Sequence, residues 1–386
     1  MENFVFKNPT KIIFGKGEIC KIADEIPSDA KVMLTYGGGS IKRNGVYEQV
    51  KKALENHDYV EFGGIEPNPE YETLCKAISL AKKEKVNFLL AVGGGSVIDG
   101  TKFIAPAINY MDSEEWDLIL DQEMAASIDA VPIGTVLTLP ATGSEMNNGA
   151  VISRRALKGK YVFFHPQNHP RFSVLDPEVC SSLPDKQIAN GIIDTFVHVM
   201  EQYNTFPVEA KIQDRFSEGI LNTMVEVGNG FIAGRRDYDL MANYMWGATM
   251  ALNGLVGAGV PQDWTTHMIG HELTALHGLD HGVTLAIVYP AMLQVLKESK
   301  KEKTLQYAAR VWGINNGSEE SIIDDAINKT RSFFESLGVK THLSDHGIGK
   351  DTIVEIHRRF KDNKTVLGEN GTVDADVVKQ ILEAAM

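Results

Sequence analysis

An α/β amino-terminal domain followed by an all-helical carboxyl-terminal domain is the architecture this chain predicts, and three features of its pattern predict it. Up to about residue 180, short β-rich runs alternate with helical stretches. Beyond Ser182 the strand-like runs give way to long amphipathic periodicities. Two glycine triplets sit directly after strand-like runs, as ligand loops do in open parallel sheets. The expected division is 1–182 and 183–386, and a chain of 386 residues is itself long for a single hydrophobic core.

Lys31–Tyr36, Phe88–Val92 and Ile133–Thr138 are compact apolar runs ending at glycine or proline, which reads as buried parallel strand. Val46–Leu54 and Glu70–Glu84 carry apolar residues three and four apart, the spacing of helices that cover a sheet. In the second half, helices are expected over Asp185–Tyr203, Ala210–Val227 and Met241–Leu255, and then on to Met386. Breaks are expected at Gly228-Asn-Gly230 and Gly254–Gly259, with Pro261 preceding a histidine-bearing helix.

The bulk numbers exclude several classes. A net charge of −13 argues against a general nucleic-acid binder, which would display a basic surface. No stretch approaches the roughly 18 apolar residues of a membrane span, and the amino terminus lacks a basic segment followed by an apolar one, so a soluble cytoplasmic protein is expected. Three widely spaced cysteines, an odd number, fit reduced thiols better than a disulfide framework.

The segments Gly37-Gly38-Gly39-Ser40 and Gly93-Gly94-Gly95-Ser96 let backbone amides approach a phosphate with no Cβ in the way. Neither has the G-x-G-x-x-G spacing, so the usual fingerprint is absent. Ser96-Val-Ile-Asp99 also reads as a helix-capping motif. A third segment, Thr138 to Glu145, brings the hydroxyls of Thr138 and Thr142 to the same expected strand edge.

Histidines stand at 267, 271, 277 and 281, and Asp194 lies one helical turn before His198. Residues four apart share a helix face, so Asp194 with His198, and His267 with His271, can each aim two groups at one centre. Nitrogen and carboxylate oxygen without thiolate suit Zn²⁺ or Fe²⁺. Six candidates exceed one tetrahedral centre. Asp194, His198, His267 and His281 are assigned as metal ligands, with His271 and His277 as neighbouring or substrate-facing groups; Glu272, Asp280 or backbone carbonyls are candidates to orient the imidazoles.

Together, Gly-Gly-Gly-Ser-x-x-Asp-x-x-Lys at 93–102, Ala-Thr-Gly-Ser-Glu at 141–145, Asn190-Gly-x-x-Asp194-x-x-x-His198 and the histidine run resemble the iron-containing alcohol dehydrogenases over essentially the whole chain. Phe62–Pro69 and Gly257–Trp264 resemble most the NADPH-dependent aldehyde reductase and butanol dehydrogenase branch. The resemblance implies a dehydroquinate synthase-like fold with a dinucleotide-binding amino-terminal domain, a helical carboxyl-terminal domain, one Fe²⁺ or Zn²⁺ in the cleft between them, and a homodimer. It places the metal on Asp194, His198, His267 and His281, and a histidine near the nicotinamide, a catalytic proton relay, on His271. Gly37 joins the first loop, and Gly38, Ser40, Gly94, Gly95, Ser96, Asp99, Thr138, Thr142, Asn147 and Lys160 match cofactor-contacting positions.

NAD-preferring relatives tend to carry an aspartate where this chain has Gly37-Gly38-Gly39. Here no carboxylate repels a 2′-phosphate, and Ser40, Lys42 and Arg43 can bind one, so NADP(H) is expected. The reaction implied is reversible interconversion of a small aliphatic aldehyde and its primary alcohol. A metallohydrolase shares the ligand chemistry but leaves the glycine loops without a role, and a lyase resembling dehydroquinate synthase calls for a more basic cleft than residues 183–281 supply.

Overall fold

The computed structural model describes all 386 residues. It divides into two compact units, Lys7–Pro184 with Arg236–Thr249, and Met1–Phe6 with Asp185–Arg235 and Met250–Met386. This differs from the expected division in two places. The helix Tyr238–Ala251 sits mostly with the α/β unit, because the Tyr244 hydroxyl donates to the Pro140 carbonyl, Thr249 Oγ1 donates to Glu145, and Trp246 packs edge-on against Phe14. The first six residues belong to the helical unit, where the Met1 amine meets the Val208 carbonyl and Glu2 N–H donates to Gly259 at 2.9 Å.

Eight strands form in the α/β unit: β1 Lys11–Phe14, β2 Lys31–Tyr36, β3 Asp58–Gly63, β4 Phe88–Gly94, β5 Ile133–Leu139, β6 Gly149–Arg154, β7 Gly159–Phe164 and β8 Phe172–Leu175. Six of them make a wholly parallel sheet in the order β1-β8-β5-β4-β2-β3, while β6 and β7 form an antiparallel hairpin. Apolar runs become central strands because both their faces are covered: β4 and β5 are buried almost throughout, whereas β3 at the edge is half-buried. The chain steps from β2 outward to β3 and then returns to place β4 on the other side of β2. The strand order therefore reverses between β2 and β4, whose ends pair at Tyr36 and Val92. One glycine triplet follows β2 and the other spans the end of β4 and the start of the next helix, at the reversal where a parallel sheet leaves a crevice beyond its carboxyl ends.

The helical unit is built from Asp185–Tyr203, Lys211–Ile232, Thr265–His277, His281–Val295, Lys301–Val311, Glu319–Ser336, Lys350–Asp362 and Ala375–Ala384. Its core includes Phe196, Tyr307, Phe333 and Phe334, with half-buried Trp312 packed against them and the Phe196 and Phe334 rings 5.6 Å apart and nearly perpendicular. The break expected at Gly228–Gly230 is absent; the helix runs through it to Ile232. Packing explains the glycine there, since a Cβ on Gly228 would lie 2.6 Å from the Phe333 ring. The break at 254–259 does form, with Gly254 and Gly259 at φ of 88° and 69°. Cys20, Cys75 and Cys180 are all free thiols.

Candidate functional site

Three helices of the helical unit meet at one point. Asp185–Tyr203 carries Asp194 and His198 on one face, Thr265–His277 carries His267 in its first turn, and His281 is the first residue of the helix that follows. Gly278, at φ 67°, ends the second of these helices and lets the chain turn back within three residues. Gly282 lets the third helix lie against the first, because a Cβ there would stand 2.6 Å from the Asn190 carbonyl oxygen. Asp194 Oδ1 lies 3.4 Å from His198 Nδ1, 3.7 Å from His267 Nε2 and 3.5 Å from His281 Nε2. One ligand atom from each of the four residues falls within 4.8 Å of the others.

This cluster is a poor hydrophobic core and a good cation site. His267 Nε2 is buried with no hydrogen-bond partner, which is costly for an imidazole unless something else takes its lone pair. One carboxylate oxygen and three imidazole nitrogens form a donor set of the kind that holds a divalent transition ion. Burial opposes a charged His267 ring, but Glu201 and Asp194 outweigh it and lift its pKa to about 9. The structure thus places negative potential where a cation would stand.

Glu201 is the residue that sequence reasoning missed. It lies seven residues beyond Asp194 on the same helix, and its carboxylate takes the His267 Nδ1 side and the His267 backbone N–H, the latter at 3.2 Å. The candidates named for such a role are engaged elsewhere. Glu272 pairs with Arg359 at 3.0 Å, and Asp280 with Lys186 at 2.7 Å. Spacing alone held the signal, Asp-x-x-x-His-x-x-Glu, one stripe of one helix.

The remaining histidines separate. His271 is buried with its ring 5.6 Å from that of His281 and 6.4 Å from that of His267, outside the four-residue cluster. His277 faces away, its Nε2 bonded to Thr352 Oγ1 at 2.9 Å. Trp264 stands beside the cluster, 5.3 Å from the His267 ring.

In the α/β unit, Gly37, Gly38 and Ser40 follow β2, while Gly94, Gly95 and Ser96 close β4 and open the helix Gly95–Ala107. Space around Gly38 is open, and a Cβ on Gly95 would overlap Thr142. The expected Ser96 cap does not form. Ser96 lies inside the first turn, where its Oγ accepts the Asn68 N–H at 3.2 Å, and Gly94 occupies the capping position. Thr138 is buried within β5, and Thr142 Oγ1 accepts the Ser144 N–H.

Asp99 turns inward. Its two carboxylate oxygens accept from Ser144 Oγ at 2.6 Å and Val151 N–H at 2.9 Å. The fully buried ammonium of Lys102 binds Ser144 Oγ, Asn147 Oδ1 and the Gly149 carbonyl at 2.8–2.9 Å. Burial pushes Lys102 down to about 8 against the pull of Asp99 and Glu145, and pushes Asp99 up. Asn147 closes the loop by donating to Gly143, and Lys160 on β7 adds positive charge toward Asp99. Lys42 is held over the Tyr36 and Tyr47 rings, 4.8 Å from each, and donates to Tyr36 Oη at 3.0 Å; Glu61 is occupied by both tyrosine hydroxyls.

Two models of one protein family match the two parts of the chain. Residues 9–177 match the family model for iron-containing alcohol dehydrogenases, and 188–386 match the carboxyl-terminal model of the same family. The chain is 55% identical over its whole length to the NADPH-dependent aldehyde reductase YqhD of Escherichia coli, itself covered completely. The crystal structure of E. coli YqhD superposes with a TM-score of 0.97 at 54% identity, covering 100% of this chain and 99% of that one. The NADH-dependent butanol dehydrogenase A of Thermotoga maritima gives 0.94 at 36% identity, with coverage of 100% and 99%.

Proposed function

From the premise that this chain belongs to the iron-containing alcohol dehydrogenase family, we propose that it interconverts small aliphatic aldehydes and their primary alcohols with NADP(H) and one divalent metal, Fe²⁺ or Zn²⁺. The observation that carries the reading is the convergence of one carboxylate and three imidazoles in a chain 55% identical to an NADPH-dependent aldehyde reductase. Asp194, His198, His267 and His281 hold the ion. When bound, it supplies Lewis-acid polarisation of the substrate carbonyl, and the nicotinamide supplies hydride.

The protein's own groups do the rest. Backbone amides of Gly37–Ser40 and Gly94–Ser96 cradle the pyrophosphate at the sheet reversal, with Thr138 and Thr142 beside them. Asp99 and Asn147 act by shaping that loop, and Lys160 adds charge. Ser40 and Lys42 receive the 2′-phosphate, since no carboxylate replaces Gly37–Gly39 and Glu61 is already engaged. Trp264 shields the metal side from water. His271 delivers the proton to the substrate oxygen as the alcohol forms, a duty suited to an imidazole beside, but outside, the ligand set.

The test is loss of the NADPH absorbance band on adding butanal, with and without chelator. Metal-dependent oxidation of NADPH supports the reading; hydrolysis or ring closure of a substrate with no net change in NADPH rejects it. Metal analysis of protein purified without added salts separates Fe²⁺ from Zn²⁺. The homodimer and cytoplasmic location belong to the same reading, and light scattering in solution checks the first.

A further inference from the structure

We infer that Glu201 is a positioning residue for the metal, setting the tautomer and angle of His267 so that Nε2 presents its lone pair to the ion. The inference rests on the metal site proposed above. Glu201 is 1% exposed, and its side chain takes no part in the four-residue cluster. Its two oxygens are divided between two groups of one residue: Oε1 accepts the His267 backbone N–H, and Oε2 meets Nδ1.

Each contact has its own effect. The third N–H of a helix has no partner inside the helix, so Oε1 satisfies it from a neighbouring helix and locks the height of His267 against the Asp194 face. Oε2 accepts only if Nδ1 bears the proton, so the neutral ring that a metal binds carries its lone pair on Nε2, 3.7 Å from Asp194 Oδ1. A carboxylate buried this deeply is expensive without a charged or cationic partner, and a metal-polarised imidazole becomes one.

The turn carrying Glu201 is itself held. Asp263 N–H donates to the Glu201 carbonyl at 2.8 Å, and the Asp263 carboxylate accepts the Thr265 N–H and pairs with buried Lys300 at 2.7 Å. Lys300 also donates to the Asn204 carbonyl at 2.9 Å and to Glu369. The loop entering the His267 helix is thus tied to the same turn that supplies Glu201.

The experiment titrates the metal-stripped full-length protein with Co²⁺, read by its visible absorption, and with Zn²⁺ in competition with a chromophoric chelator. Glu201→Ala should weaken both ions by about 10–100-fold and shift the Co²⁺ band. Glu201→Gln keeps an acceptor oxygen but loses the charge, so it should fall between alanine and wild type, and it serves alone if the alanine variant does not fold. Glu218→Gln is the control: Glu218 is another buried acid of the same unit, bonded to Tyr203 and Arg310, and its loss should lower the melting temperature without moving Co²⁺ affinity. Affinity within about twofold of wild type in either Glu201 variant, or an equal loss in the control, overturns the assignment. Wild-type protein that binds neither ion instead defeats the metal reading itself.

Discussion

His267 and His271 sit one helical turn apart and are assigned different duties, which single substitutions separate. His267→Ala should remove bound metal and activity together, checked by elemental analysis and turnover on the same sample. His271→Ala should keep its metal while kcat falls by about 10²–10⁴-fold. Lys42→Ala should raise KM for NADPH by about tenfold with little change for NADH, as expected for one charged hydrogen bond to a phosphate. Lys102 carries the pH prediction. Its folded pKa, about 8, lies below the ordinary lysine value of 10.5, so the unfolded chain binds more protons between these two values. Stability relative to Lys102→Met should therefore rise as pH climbs through that window, by about 3 kcal/mol at 1.36 kcal/mol per unit, and be lost again as pH falls toward 8. Urea unfolding of both proteins across the window measures it.

At the scale of elements, glycines mark where backbones must approach. Gly282→Ala forces a Cβ to within 2.6 Å of the Asn190 carbonyl, so the His281 helix has to move away from the Asp194 helix. Metal affinity and melting temperature should fall together. Gly228→Ala meets the Phe333 ring instead, a group outside the four-residue cluster, and should cost about 1–3 kcal/mol of stability with a smaller change in metal affinity than Gly282→Ala. The pair of variants, compared by metal titration and thermal melting, distinguishes helix placement from general overpacking. The same elements show where pattern reading works. Asp185–Tyr203 is legible to the residue because its apolar spacing is uninterrupted, and β2 because apolar residues end abruptly at glycine. Gly228–Gly230 misleads for the opposite reason: a glycine required by a neighbouring ring looks, in one dimension, like a glycine that breaks a helix.

For the whole molecule, a metal bound only by the folded chain should stabilise it by mass action. Chelation should lower the melting temperature, and free metal at about a thousandfold over Kd should restore about 4 kcal/mol. The sequence by itself determined the two-part architecture, the glycine loops and the four residues now seen converging, because periodicity, turn chemistry and ligand type are local properties written in order along the chain. Tertiary structure alone decided that Tyr238–Ala251 packs largely with the sheet, that His277 turns to Thr352, that Asp99 and Lys102 bond inward, and that Glu201 rather than Glu272 or Asp280 holds His267. Those choices depend on which of several chemically equivalent side chains reaches a given atom, and distance across helices is not encoded in spacing along one of them.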